Sequence, residues 1–212
     1  MFNVKNAQAN ISISPIGFYL KKDFKVVSLE FGNKTDEARN VHATVFKWER
    51  VNGKDEFIET QDLIITPEIF EVKPHSKQVL RVAQEIQYPT DREGAYKIRV
   101  REIPENLKQD NKITFAMSFM IPLFIEPDVK TPFESSVKIT RKAGKLLIKS
   151  NMNYHLKIIG IIDKQKSKTD RQSLLQYIFP DEDFVLSHPS AASKSLSLVF
   201  DDNGQERVVD VG

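Results

Sequence analysis

Four histidines, His42, His75, His155 and His188, are the first residues to weigh for chemistry, and none has a partner at the helical or hairpin spacing of a metal-ligand pair. Paired carboxylates can do acid–base work across a cleft. The acidic runs here, Asp181-Glu182-Asp183 and Asp201-Asp202, read as turns, and adjacency in sequence says nothing about separation across a cleft. The chain has no cysteine, which excludes a disulfide framework, a thiolate metal site and a cysteine nucleophile. There is no Gly-x-Ser-x-Gly elbow and no phosphate loop, and the eight glycines are mostly isolated. These residues point away from catalysis, so the expectation is a non-enzyme with neither cofactor nor metal. Asn33-Lys34-Thr35 matches a glycosylation acceptor, a pattern short enough to occur often by chance.

The remaining chemistry is that of surfaces, and it concentrates in residues 113 to 123. Ile113, Phe115, Met117, Phe119 and Ile121 fall on one face of a strand; Thr114, Ala116, Ser118, Met120 and Pro122 fall on the other, where three of five are also apolar. Two readings fit. A strand apolar on both faces can be hidden between layers. An edge strand with an exposed apolar ridge invites pairing with another chain, which folds normally avoid and which strand addition exploits. Periodicity alone leaves both open.

The elements around this stretch are short strands. Ile11 and Ile13, then Val27, Leu29 and Phe31, then Val41, Ala43 and Val45 alternate with more polar residues. Turns are expected at Gly32-Asn33-Lys34, Asn52-Gly53-Lys54, Lys73-Pro74-His75-Ser76 and Arg92-Glu93-Gly94. Many short strands with polar turns predict an all-β antiparallel sandwich. One helical turn is expected over Leu174 to Phe179, and a solvated loop over Lys164 to Arg171. Two prolines in 126–132 suit a linker, so two sandwiches are expected at 1–126 and 127–212. Later strands are expected at 137–139, 145–150, 156–162, 195–200 and 207–211. Trp48, beside Val45 and Phe46, is expected in the core. A net charge of +2 and a scattered 28% of charged residues argue against nucleic acid or a membrane surface as partner. No apolar run is long enough to span a bilayer. Met1 to Asn10 has no signal-peptide core, which leaves a cytoplasmic chain or a mature form.

Specific motifs then enter. Leu63-Ile64-Ile65-Thr66-Pro67-Glu68-Ile69-Phe70-Glu71-Val72-Lys73-Pro74 leads to Gln78-Val79-Leu80-Arg81-Val82. Asp91-Arg92-Glu93 and Arg101-Glu102-Ile103-Pro104 bracket a strand at Tyr96 to Val100. Leu123-Phe124-Ile125-Glu126-Pro127 closes the region. This order resembles the PapD-like pilus-assembly chaperones of the chaperone–usher pathway, most strongly over 63–127. Ser150 to Leu156 is similar to that family's Asn-Pro-Thr-Pro-Tyr turn, without its two prolines.

The resemblance implies two immunoglobulin-like β-sandwich domains set at an angle, and a periplasmic chaperone that binds, folds and caps pilin subunits by donor-strand complementation and delivers them to an outer-membrane usher. It implies pilin subunits and the usher as partners, leaves a self-capping dimer of the free protein open, and implies Ile113, Phe115, Met117, Phe119 and Ile121 as the donor face. The family's two carboxylate-anchoring cations align with Gly17 and Pro122, so both are missing here, which points towards a divergent, archaic-like branch. Arg99 and Arg101, on the face of the sixth strand opposite Tyr96, Ile98 and Val100, are the expected substitutes. Arg101 pairing with Glu102 or Glu126 is the other reading of that residue. An immunoglobulin-like structural or adhesion module, or an enzyme with a site across a cleft, are the rival functions.

Overall fold

The computed structural model describes residues 10–89, 91–104, 116–165, 171–202 and 204–211. They form two compact units, one running to Tyr88 and resuming over Gly94–Ile125, the other combining Pro89–Glu93 with the chain from Glu126 on.

In the first unit the strands are β1 (Ile11–Ser14), β2 (Phe18–Lys21), β3 (Val26–Asn33), β4 (Arg39–Val51), β5 (Lys54–Glu59), β6 (Leu63–Thr66), β7 (Ile69–Val72), β8 (Ser76–Gln84), β9 (Gly94–Ile103) and β10 (Ser118–Glu126). One sheet has the order β1-β3-β8-β6; the other runs β2-β10-β9-β4-β5, with β7 also beside β4. The period-two pattern explains the layering. Leu29 and Phe31 of β3 and Leu80 and Val82 of β8 point inward from the first sheet. They meet Val41, Ala43, Tyr96, Ile98 and Val100 from the second in a single core. This is the all-β sandwich expected.

Turn chemistry sets much of the register. Asn52 and Gly53 both have positive φ, 52° and 74°, the two-residue hairpin geometry whose twist suits the flanking strands β4 and β5. Gly32-Asn33 was expected in a turn, but both residues complete β3, paired with Ser12 and Ile11. The turn begins one residue later because the buried Asn33 side chain organises it. Its Oδ1 accepts from the Thr35 N–H at 3.0 Å, and its Nδ2 donates to the carbonyls of Glu37 and Val72.

At the start of β9, Gly94 lies beneath the Tyr88 ring, which packs edge-on against Tyr96 at 6.2 Å. A Cβ on Gly94 would stand 2.3 Å from the Tyr88 Cζ. An aromatic ring cannot yield as a flexible chain end does. Gly94→Ala is therefore expected to cost about 1–3 kcal/mol in urea unfolding. A cost near zero would show that the Tyr88 packing carries no stability.

The second unit holds a four-residue helix α1 (Phe133–Ser136) and strands β11 (Val137–Lys142), β12 (Lys145–Ser150), β13 (Leu156–Asp163), β14 (Arg171–Ile178), β15 (Asp183–Leu186), β16 (Leu196–Asp202) and β17 (Gln205–Val211). Its sheets are β11-β12-β15 and β14-β13-β16-β17. Leu146, Ile148, Leu156, Ile158, Leu198 and Phe200 fill the space between them. Leu174 to Phe179, expected as a helical turn, lies instead almost wholly in β14, which pairs antiparallel with β13. Leu174 packs partly on the core and Ile178 is buried while Leu175 is exposed, a period of two that tertiary pairing imposes over local preference. Arg171, expected at the end of a loop, opens this strand; 166–170 lie outside the described residues.

Candidate functional site

The apolar stretch of the sequence ends in β10, paired with β9 from Ser118↔Arg101 to Ile125↔Gly94. Its odd-numbered residues face the first unit's core. Ile125, Leu123 and Ile121 are buried there, Phe119 packs partly against the same core, and Met117, just upstream, is 38% exposed. One apolar face thus runs out of the domain's own core and into solvent. Ile121, expected on the donor face, is a correction: at 3% exposure it fills its own domain's core and is not available to a partner. Ile113 and Phe115, on the same alternation, lie outside the described residues.

The backbone of this strand is set by its neighbours. Glu102 N–H donates to the Met117 carbonyl at 2.9 Å, and Met117 N–H donates to the Glu102 side-chain Oε2 at 2.9 Å. Both Met117 peptide groups are therefore spent towards β9. Successive residues alternate in hydrogen-bonding direction in an antiparallel pair, so Ser118, Met120 and Pro122 turn their peptide groups the other way. Pro122 has no N–H to offer, and here its absence costs no bond to β9. Gly17 sits against Pro122, and Tyr19 stacks on Phe124 at 5.6 Å, so β2 runs alongside the C-terminal half of β10. Among the described residues, the edge of β10 upstream of that half has no strand beside it. Gly17 and Pro122, far apart in sequence, meet at one point, and neither can supply a cation there.

Cations instead line the outward face of β9. Lys97, Arg99 and Arg101 stand opposite Pro122, Met120 and Ser118 on β10, and opposite Phe46, Thr44 and His42 on β4. The Lys97 amine sits 3.9 Å from the Trp48 ring centre, and the Arg99 guanidinium 4.6 Å from that of Phe46. Arg101 is exposed, with an Nη 3.4 Å from His42 Nδ1. Glu102 engages Met117, and Glu126 pairs with Lys130, so the carboxylates considered for Arg101 have these partners. Trp48 is buried as expected, but on this outward face in line with Phe124 and Phe57 rather than in the main core. Its even position on β4 turns it away from Val41, Ala43 and Val45.

Burial pushes the Lys97 amine down from 10.5 to about 8, with Asp55 partly opposing the shift. A base with a lowered folded pKa disfavours folding most while both states are charged; the penalty shrinks as pH rises through the folded pKa and is gone above the unfolded one. Stability attributable to Lys97 is thus expected to rise between pH 8 and pH 10.5. The difference in urea midpoint between wild type and Lys97→Met should narrow or change sign across that window; a constant difference would show the amine to be unperturbed.

Three participants were not found from the sequence. Glu102 was seen in a motif and as a partner considered for Arg101 but not as the acceptor for Met117, Lys97 only as one of a row of cations, and the pairing of Glu93 with His155 not at all. The last is buried in the second unit. The Glu93 carboxylate accepts from the His155 N–H at 3.1 Å and lies 2.9 Å from its Nδ1, while Glu93 N–H donates to the Asn153 carbonyl. His42 lies on β4, His75 pairs with Asp36 at 2.8 Å, and His188 Nδ1 accepts from the Ser190 N–H.

Known proteins share this sequence order and this fold. Residues 10–130 match the family model described as pili and flagellar-assembly chaperone, PapD N-terminal domain. The chain is 21% identical over 213 residues to the chaperone protein PapD of Escherichia coli, covering 97% of this chain and 87% of that protein. In fold it resembles a chain of the CsuC–CsuE chaperone–tip adhesion subunit pre-assembly complex from the archaic chaperone–usher Csu pili of Acinetobacter baumannii, with a TM-score of 0.74 at 18% identity, covering 96% of this chain and 98% of that one. It also resembles a chain of the Salmonella enterica SafA pilin–SafB chaperone complex, with a TM-score of 0.72 at 13% identity, covering 97% of each. The family-model match spans more than half of the chain, and with it the chain belongs to the PapD-like family of pilus-assembly chaperones.

Proposed function

We propose that this protein is a periplasmic chaperone that lends its β10 strand to pilin subunits, holds them folded and capped, and delivers them to an outer-membrane usher. The observation that carries the reading is the continuous inward face of β10, buried at Ile121, half-buried at Phe119 and exposed at Met117. In strand addition the partner's backbone pairs with the open edge while alternate side chains enter its core. The edge available is that of Ala116 and Ser118, since Met117 is engaged with Glu102. Ile113, Phe115 and Met117 are the donor residues, with Phe119 at the margin between the two cores. Each large side chain buried in the partner would stabilise the complex by about 1.5–3 kcal/mol before ordering costs. The domains are taken as 1–126 and 127–212. The Gly17–Pro122 contact, at the positions of the family's missing cations, supports an archaic-like branch, with Arg99 and Arg101 as candidate carboxylate anchors. No helix among the described residues is long and apolar enough to cross a membrane.

Co-expression in a bacterial periplasm with a pilin encoded beside the chain's own gene is the test. A soluble one-to-one complex, with the pilin lost when the chaperone is omitted, is expected. A pilin that accumulates equally without the chain would favour an immunoglobulin-like structural module.

A further inference from the structure

We propose that Met117 is a site of reversible oxidation: hydrogen peroxide or another two-electron oxidant converts its thioether to the sulfoxide, which disables the donor face while the fold stays intact, and thiol-dependent reduction restores it. The loss of capture rests on the function proposed above; the reactivity of the side chain does not.

Among the described residues methionine occurs at 117, 120 and 152. Oxidation needs a sulfur that the oxidant can reach. Met152 offers none: it is fully buried in the second unit's core, and its sulfur accepts from the Thr131 hydroxyl at 3.6 Å. Met117 and Met120 are the exposed pair, at 38% and 37%, three residues apart at the start of β10 and on opposite faces. Met117 continues the inward face of Phe119 and Ile121, whereas Met120 stands opposite Arg99 on the outward face. Both Met117 peptide groups are held by Glu102, so its side chain is presented at a set place and not on a loose end. The chain has no cysteine, so no thiol here reacts with the oxidant first. In the reaction the sulfur attacks one peroxide oxygen; the S–O bond forms, the O–O bond breaks, and the second oxygen leaves as water. The thioether loses two electrons and the peroxide gains them. The product carries a polar oxygen in place of an apolar lone pair. In the free chain water meets that oxygen, and the domain's own core is undisturbed. An apolar partner core offers it no donor, and a buried acceptor without one opposes binding. Sulfoxide at Met120 leaves the inward face as it was. Two thiols of a separate reductant remove the oxygen as water and close to a disulfide, which returns the thioether.

The test treats the full folded chain with hydrogen peroxide and reads sulfoxide residue by residue by peptide mass mapping. The urea midpoint and the capture of a pilin diluted from denaturant are measured on the same samples. Met117 and Met120 should oxidise about tenfold or more faster than Met152, a difference that vanishes in urea. The treated chain should keep its urea midpoint and bind the pilin about tenfold or more weakly. The two methionine sulfoxide reductases, one for each sulfoxide epimer, with dithiothreitol should restore binding. Met120→Leu should lose capture on treatment as wild type does. Met117→Leu, compared with its own untreated sample, should lose none. The proposal is overturned by Met117 oxidising no faster than Met152, by an unfolded product, by full capture with Met117 as sulfoxide, or by an equal peroxide effect in Met117→Leu. An untreated chain that captures no pilin would overturn the proposed function instead, and the mass map, which needs no pilin, would still decide the reactivity.

Discussion

Replacing Met117 by Gln is expected to leave the protein folded and to weaken pilin capture by about ten- to a hundredfold, the equivalent of removing one large side chain from a partner's core. Met117 is 38% exposed in the free chain, so its truncation exposes little new surface and the urea midpoint should move by less than about 0.5 kcal/mol in stability. Gln is chosen over Asp for a local reason. Glu102 lies next to Met117 across the β9–β10 pair and accepts its N–H, so a second negative charge there would disturb the strand itself. The informative contrast is Ile121→Gln, four residues along the same face. Ile121 is 3% exposed within the domain's own core, and a buried amide there should cost about 3 kcal/mol or more in stability. Capture by that variant would fail only because the domain unfolds. Loss of capture with intact folding at Met117, set against loss of folding at Ile121, would locate the boundary between the two cores. If Met117→Gln captures pilin as wild type does, the donor face is misplaced. If it unfolds, Met117 is itself internal core.

Removing the carboxylate of Glu93 should have the largest effect on the second unit, about 3–5 kcal/mol for Glu93→Ala. The cost arises because Glu93 is not an ornament on a surface. Its carboxylate takes the His155 N–H and lies against Nδ1, both inside the unit, while its own N–H holds the Asn153 carbonyl. Asn153 in turn donates to the Asp91 and Val129 carbonyls and accepts from the Thr131 N–H, so the segment Pro89–Glu93 is held by a connected network. Deleting one member leaves buried donors without an acceptor. Calorimetry of Glu93→Ala, His155→Ala and the double variant would check this. Strong non-additivity is expected for residues in one network. Independent, small effects would show that the segment is held by other contacts.

Much of the architecture was written in local pattern. Alternation in β3 and β4, the Asn52-Gly53 hairpin and the proline-rich stretch after Ile125 each reflect a rule that acts over a few residues. The inward and outward faces of the cation row and of residues 117–125 followed from the same period of two. What local pattern could not carry was any outcome decided by residues distant in the chain. Periodicity names the face of Ile121 but not where along β10 the domain's own core stops, because that depends on how far the opposing sheet reaches. Leu174 to Phe179 has a short-range preference that pairing with β13 overrides. Trp48 was correctly buried, but only the order of strands in the sheet shows that it supports Lys97 from the outward face. The Glu93–His155 pair joins residues 62 apart, and nothing in either neighbourhood announces it. Gly17 and Pro122 were each seen to lack a cation, and tertiary structure brings them together beside Lys97. The sequence by itself determined the faces of the strands that alternation announced, because backbone geometry is local. The tertiary structure decided which apolar residues the fold consumes and which it leaves for a partner, because burial is a property of the packed chain.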